Sequence, residues 1–224
     1  MRVVRKGPNT MDEYHFKLLG GQLALDFANT ASWHARAEPG ELLTDYARVL
    51  AWGEQAGALD AAARARLATA AERDPAGVAV ALARIVALRE VIYRLFSALA
   101  AGRPLPAADL AALNGALAAT LPQLRVLATD TGTVWGWEDK EDDLSRPIWP
   151  VIRAAAELLT APDRALVREC AGEDCGWLFL DTSRNRTRRW CDSRDCGNRM
   201  RVRQHYARLR ARDIAEVYTS GTTR

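Results

Sequence analysis

Apolar residues recur with two different periods along this 224-residue chain, and each change of period marks an element. Val78, Leu82, Ile85, Leu88, Ile92, Leu95 and Leu99 follow the 3.6-residue period for six turns, which predicts a long amphipathic helix. Asp74-Pro75-Ala76 opens it with proline near the first turn, and Gly102-Arg103-Pro104-Leu105-Pro106 breaks it. Leu42, Tyr46, Val49, Leu50 and Trp52, then Leu59 and Leu67, keep helical spacing from Glu41 to about Ala71. Thr44 or Glu41 is the expected start, and Gly53 and Gly57 punctuate the run. Shorter helices are predicted over Leu23–Asn29 after a Gly20-Gly21 turn, over Asp109–Leu121, and over Trp149–Leu159 with Pro150 in the first turn. A two-residue period replaces the helical one in Tyr14–Leu18, read as a short strand. Leu124–Ala128 and Thr133–Trp137 flank Asp130-Thr131-Gly132, the best hairpin signal in the chain. The acidic run Glu138–Asp143 reads as a solvated loop, and residues 1–12 as a loose polar segment. No internal repeat is found.

Beyond Thr160-Ala161-Pro162 the composition changes, which divides the chain into a mostly helical domain, 1–165, and a smaller module, 166–224. The fold class expected is α+β: a predominantly α-helical first domain with a small β-hairpin or sheet, then a compact finger. The short junction implies that the two parts touch. Charge sharpens the division. Residues 1–169 carry a net charge of −2 and residues 170–224 one of +5, and residues 182–212 hold 11 Arg against only Asp192 and Asp195. A field that concentrated attracts polyanions, nucleic acid foremost. No apolar run approaches the roughly 18 residues of a membrane span, and the basic opening Met1–Pro8 lacks the apolar stretch of a secretory signal, so a cytoplasmic protein is expected.

All four cysteines lie in the basic module, as Cys170-x4-Cys175-x15-Cys191-x4-Cys196. Each pair can close on a metal from a tight knuckle, and the span between them is long enough to return the chain. Four soft thiolates suit tetrahedral Zn²⁺ and leave no open position for water, so the site is read as structural. Disulfides, disfavoured in a reducing compartment, and an iron–sulfur cluster are the alternatives. A small Arg-rich segment cannot assemble an adequate apolar core, so the ion is expected to supply much of its folding free energy. Gly176–Asp181 has strand character, Thr182-Ser183-Arg184-Asn185 reads as a hairpin turn, Gly197-Asn198 as a turn, and Arg199 to about Val217 as a helix. Knuckle, hairpin, second pair and helix in that order describe a treble-clef-like finger. On the helix Val202, Tyr206 and Leu209 form an apolar stripe expected to pack on the hairpin or the first domain. Arg201, His205, Arg208 and Arg212 line another side, suited to phosphates or a groove. Arg184, Arg186, Arg188 and Arg189 add a second basic surface beside Trp190, and Arg199 and Arg203 complete the candidate nucleic-acid contacts. Some of these arginines are expected to neutralise the formal −2 of a zinc tetrathiolate instead.

In the first domain Asp26, Asn29, Thr30, Trp33 and His34 are the one polar cluster suggestive of a ligand site, with packing and capping as the plainer account. No G-x-S-x-G, H-E-x-x-H or glycine-rich phosphate loop occurs, so an enzyme is not expected.

The segment Asp181-x-Ser183-Arg184-Asn185-x-x-Arg188-Arg189-Trp190-Cys191-x4-Cys196-Gly197-Asn198-Arg199 resembles the CGNR zinc-finger family of bacterial proteins. Gly20-Gly21-x-Leu23-Ala24-Leu25-Asp26-Phe27-Ala28-Asn29-Thr30 is similar to the opening of the ABATE domain that accompanies that finger. The resemblance implies a stress-related transcription regulator with Cys170, Cys175, Cys191 and Cys196 as zinc ligands and a C-terminal module contacting DNA. Met200-Arg201 stands where many members have Ala-Lys, a change that keeps the basic charge. The resemblance fixes no effector; the first domain is read as one that senses an unidentified small molecule or forms a homodimer. RNA or ribosome binding by the same basic surface, or docking of an acidic protein, are the rival readings.

Overall fold

The computed structural model describes residues 15–138 and 143–220, the last ten as backbone alone. Tyr14, the segment 1–12, most of the acidic run and the side chain of Arg212 lie outside the described residues. Helix α1 (Leu23–Ala28) forms the centre, with Leu25 and Phe27 wholly buried. Around it stand α2 (Tyr46–Gln55), α3 (Ala61–Arg73), α4 (Pro75–Ala100), α5 (Ala107–Thr120) and α6 (Trp149–Thr160). Helices α4 and α6 pack directly on α1. The helix starts are set by side chains that accept otherwise orphaned N–H groups: Asp45 from Arg48, Asp60 from Ala63, and Asp74 from Gly77. Glu41 and Thr44 therefore do not begin α2. Glu41 instead ends the two-residue strand β2 (Gly40–Glu41), paired with β1 (Ala31–Ser32).

The stripe of α4 is rotated from the one its apolar residues predict. Ala81, Ile85, Ile92, Leu95, Phe96 and Ala98 are buried, while Val78, Leu82, Leu88 and Leu99 only flank the core. Arg89 is buried on the inner side because its guanidinium meets both Glu41 oxygens at 2.5 and 2.8 Å and Glu90 at 2.8 Å. Residues His15–Leu19 form no strand. The backbone N–H and C=O of Phe16 bond the Gln55 amide at 2.9 and 2.6 Å, a side-chain substitute for a ladder. The hairpin is as expected: β3 (Leu124–Thr129) and β4 (Gly132–Trp137) pair antiparallel from Leu124↔Trp137 to Thr129↔Gly132. Trp137 leans on Trp149 of α6.

Strands β5 (Val167–Glu169) and β6 (Leu178–Leu180) pair antiparallel across the first cysteine knuckle, and α7 (Cys196–Ser220) leaves the second. Val167, Leu178 and Leu180 belong to the main helical core, so the finger shares its foundation with the first domain. Among the described residues no helix is long and apolar enough to cross a membrane.

Candidate metal centre

The knuckle hangs between two paired strands. Val167↔Leu180, Arg168↔Phe179 and Glu169↔Leu178 bring its ends together, and the Cys170 N–H bonds the Trp177 carbonyl at 2.8 Å. Asp174 and Gly176 then turn the chain with φ of 66° and 67°. A Cβ at Gly176 would stand 2.7 Å from the Ala35 amide nitrogen, so this position requires glycine. The hairpin thus flanks the first cysteine pair instead of following it. Thr182–Asn185 does not join two strands; it opens an irregular loop organised by one buried carboxylate. Asp181 accepts from the Ser183 hydroxyl at 2.5 Å, the Ser183 N–H at 3.1 Å and the Arg188 N–H at 3.0 Å. The Ser183 hydroxyl and the two N–H groups outweigh desolvation and hold Asp181 below the usual carboxylate range. In the sequence Asp181 is only the end of a strand-like segment and the first residue of a motif. Its position four residues before Asn185 in a polar run carries no sign that it is buried.

The irregular loop after β6 returns to place Cys191, whose N–H bonds the Cys170 sulfur at 3.3 Å, and Cys196 occupies the first position of α7. Gly197 and Asn198 therefore belong to the helix and are not a turn before it. All four sulfurs lie within 4.8 Å of one another. Cys175–Cys191, Cys191–Cys196 and Cys175–Cys196 are 3.7, 3.6 and 3.6 Å apart. A tetrahedron with Zn–S bonds of about 2.3 Å has edges of about 3.8 Å, which these three distances match, and the Cys170 sulfur lies within 4.8 Å of the other three. The four cysteines are free, at nearly twice the S–S bond length of about 2 Å, and the disulfide alternative does not hold.

Proton competition shows that the cluster favours a cation. Hydrogen bonds from the Cys175 and Cys191 thiols hold Cys170 down as a thiolate, and bonding to Cys170 pushes Cys175 and Cys191 up. Without a cation only part of the cluster ionises; Zn²⁺ would stabilise all four thiolates at once. The remaining negative charge is met by N–H groups of Gly172 and Cys191 on Cys170 and by the Arg199 guanidinium, 3.1 Å from Cys196 Sγ.

That contact redefines the basic surface. Arg199 also meets Asp195 at 3.3 Å and stacks 4.3 Å over Trp33. Arg188 donates to the carbonyls of Trp190 and Cys191 and covers the Phe179 ring at 4.2 Å. Arg203 pairs with Glu173, and Arg201 reaches the Ser193 carbonyl at 3.1 Å. Arg184, Arg186 and Arg189 project from the loop after β6, with Arg189 5.2 Å from the Trp190 ring. His205 and Arg208 are exposed on α7, and so are Arg194 beside the second pair and Arg210, two cations the sequence reading did not single out. Val202, Tyr206 and Leu209 are 45, 60 and 40% exposed: the stripe expected to pack on the hairpin or first domain touches neither, because α7 runs outward from Cys196.

The polar cluster of the first domain does not converge on one cavity. Asp26 accepts from the Gly20 N–H at 2.7 Å, and burial pushes its carboxyl up to about 6 against the hydrogen bonds of Gly20 and Leu19. Asn29 exchanges two 2.8 Å bonds with the Leu178 backbone, pinning α1 to β6. Thr30 closes on the Phe27 carbonyl at 2.7 Å. His34 stacks on Tyr93 at 3.6 Å and bonds Glu90 at 3.0 Å, while its backbone N–H reaches the Cys175 carbonyl. Asp26, Asn29 and His34 thus brace the finger or the turn beside it.

With this geometry in place, comparison with known families gives two matches. A family model described as "ABATE: Putative stress-induced transcription regulator" matches residues 21–162, and one described as "CGNR zinc finger" matches residues 167–209. No curated protein matches the chain.

Proposed function

The chain belongs to the ABATE family and carries a CGNR zinc finger, and from that premise we propose that it is a cytoplasmic transcription regulator that binds duplex DNA through the finger. The observation that carries the reading is the set of exposed guanidinium groups held on a braced frame. Arg184, Arg186 and Arg189 stand on a loop fixed by Asp181, and Arg194, Arg208 and Arg210 follow along the second pair and α7. None of Arg184, Arg186 and Arg208 has an acidic partner among the described residues. Arg188, Arg199 and Arg203 already have partners within the finger, so in this reading they serve first as braces. Helix α7 is about 37 Å long at 1.5 Å per residue, and its residues 201–210 are all exposed, which suits a major groove.

Titration of labelled genomic duplex fragments against salt tests it. Binding should weaken steeply with salt, and Arg184→Ala, Arg186→Ala and Arg208→Ala should each reduce the slope of log K against log[salt] by about 1. Arg203→Ala should leave that slope unchanged. Equal or tighter binding of structured RNA at matched salt would move the assignment to RNA, and salt-independent capture of duplex would remove it.

A further inference from the structure

A cleft of about 280 Å³ runs along the seam between the first domain and the finger. Phe16, Leu19, Leu42 and Trp33 wall it on one side, and three of the four metal-binding cysteines, Cys175, Cys191 and Cys196, line the other. Cys170 does not. The sulfurs also differ in what protects them. Cys170 accepts two backbone N–H groups, Cys175 the N–H of Trp177, and Cys196 the Arg199 guanidinium. Cys191 Sγ accepts no N–H among the described residues. Each N–H donated to a thiolate withdraws electron density and lowers its nucleophilicity, so the sulfur that faces the cleft without one is the most reactive of the four. The other two cleft sulfurs stand 3.6 and 3.7 Å from it, close enough to resolve an oxidised sulfur with a small shift of the loops.

We propose that Cys191 is a peroxide-reactive modification site, and that its oxidation through the cleft opens the zinc centre. The thiolate attacks one peroxide oxygen, the O–O bond breaks, and hydroxide leaves, giving a sulfenic acid on Cys191. Cys175 or Cys196 then attacks that sulfur as thiolate, an S–S bond forms, and a second hydroxide leaves. Two thiolates have lost two electrons, the peroxide has gained them, and the two hydroxides take up protons as water. The two remaining thiolates cannot retain the ion, and the base of α7 is no longer tied to the knuckle.

The test uses the zinc-loaded full chain with hydrogen peroxide at limiting equivalents. Released zinc is followed with a chromogenic chelator, free thiols are trapped by alkylation, and the disulfide is mapped by mass spectrometry. One zinc should leave per disulfide formed, the disulfide should contain Cys191, and Cys170 should be recovered alkylated; thiol reductant with zinc should reverse the change. Leu19→Trp, which fills the cleft away from the ligands, should slow release several-fold at unchanged zinc content. Oxidation of Cys170 first, or release at the same rate in the wild-type and filled-cleft proteins, overturns the proposal. Both readouts are independent of DNA, so failure here leaves the DNA-binding reading to its own test.

Discussion

Asp26 shows how much of a site one residue's surroundings decide. A carboxylate in an apolar helix looks like a candidate ligand, but its oxygen is spent on the Gly20 N–H, fixing the turn that leads into α1. Burial raises its pKa to about 6, above the ordinary value of 3.8. Between about pH 4 and 6 the folded chain keeps a proton here that the unfolded chain has released, so this group's contribution to stability falls as pH rises through that window. Above it, the penalty for the buried charge levels at up to about 3 kcal/mol. Asp26→Asn preserves an acceptor for Gly20 and removes the charge. Urea unfolding should therefore show the variant gaining on the wild type from pH 4 to pH 6 and holding that gain at pH 7; a constant difference across the window would contradict the assignment. The same distinction separates the arginines. Their clustering was legible in the sequence, but a side chain this long reaches carbonyls, sulfur or an aromatic ring several residues away. Spacing alone cannot tell Arg188, turned inward over Phe179, from Arg186, turned out.

At the scale of elements, long periodic segments read well and short ones did not. The stripe from Val78 to Leu99 located α4 because its many turns outvote any single residue, though Arg89 entered the buried face through its carboxylate partners. Two strands of three residues around an eight-residue knuckle carry too few alternations to register, so the β5–β6 pairing was invisible and the hairpin was placed one segment too late. Nor did the sequence disclose that β6 is held by α1. Leu178 gives both backbone bonds on that side to the Asn29 amide, which is 2% exposed. Truncating Asn29 strands one donor and one acceptor of the buried Leu178 backbone, at about 1–3 kcal/mol for each. Asn29→Ala should lower the urea midpoint accordingly and raise hydrogen exchange at Leu178, although residue 29 is 149 positions away. If exchange at Leu178 stayed at the wild-type rate, the brace would be incidental.

For the whole molecule the decisive feature is where the metal-dependent part ends. The four cysteines with Phe179, Trp177 and Trp190 form a small cluster of their own, whereas Val167, Leu178 and Leu180 belong to the large helical core. The hairpin under the knuckle is consequently held by apolar burial, while the two cysteine loops and the start of α7 depend on the ion. Removing zinc should divide the chain along that line. Chelation is expected to leave α1–α6 folded, since the packing of α1 on α4 and α6 includes no metal ligand. The loops bearing Arg184, Arg186 and Arg194 and the helix bearing Arg208 would lose their common frame, and the proposed duplex binding with it. Trypsin provides a direct measurement: with chelator present, cleavage should concentrate after the arginines between 184 and 210, and a fragment carrying α1–α6 should persist. Zinc added before the protease should suppress those cuts. Cooperative loss of the helical core on chelation would show that the finger supports the first domain, and an unchanged digest would show that the four sulfurs need no ion to hold α7 in place.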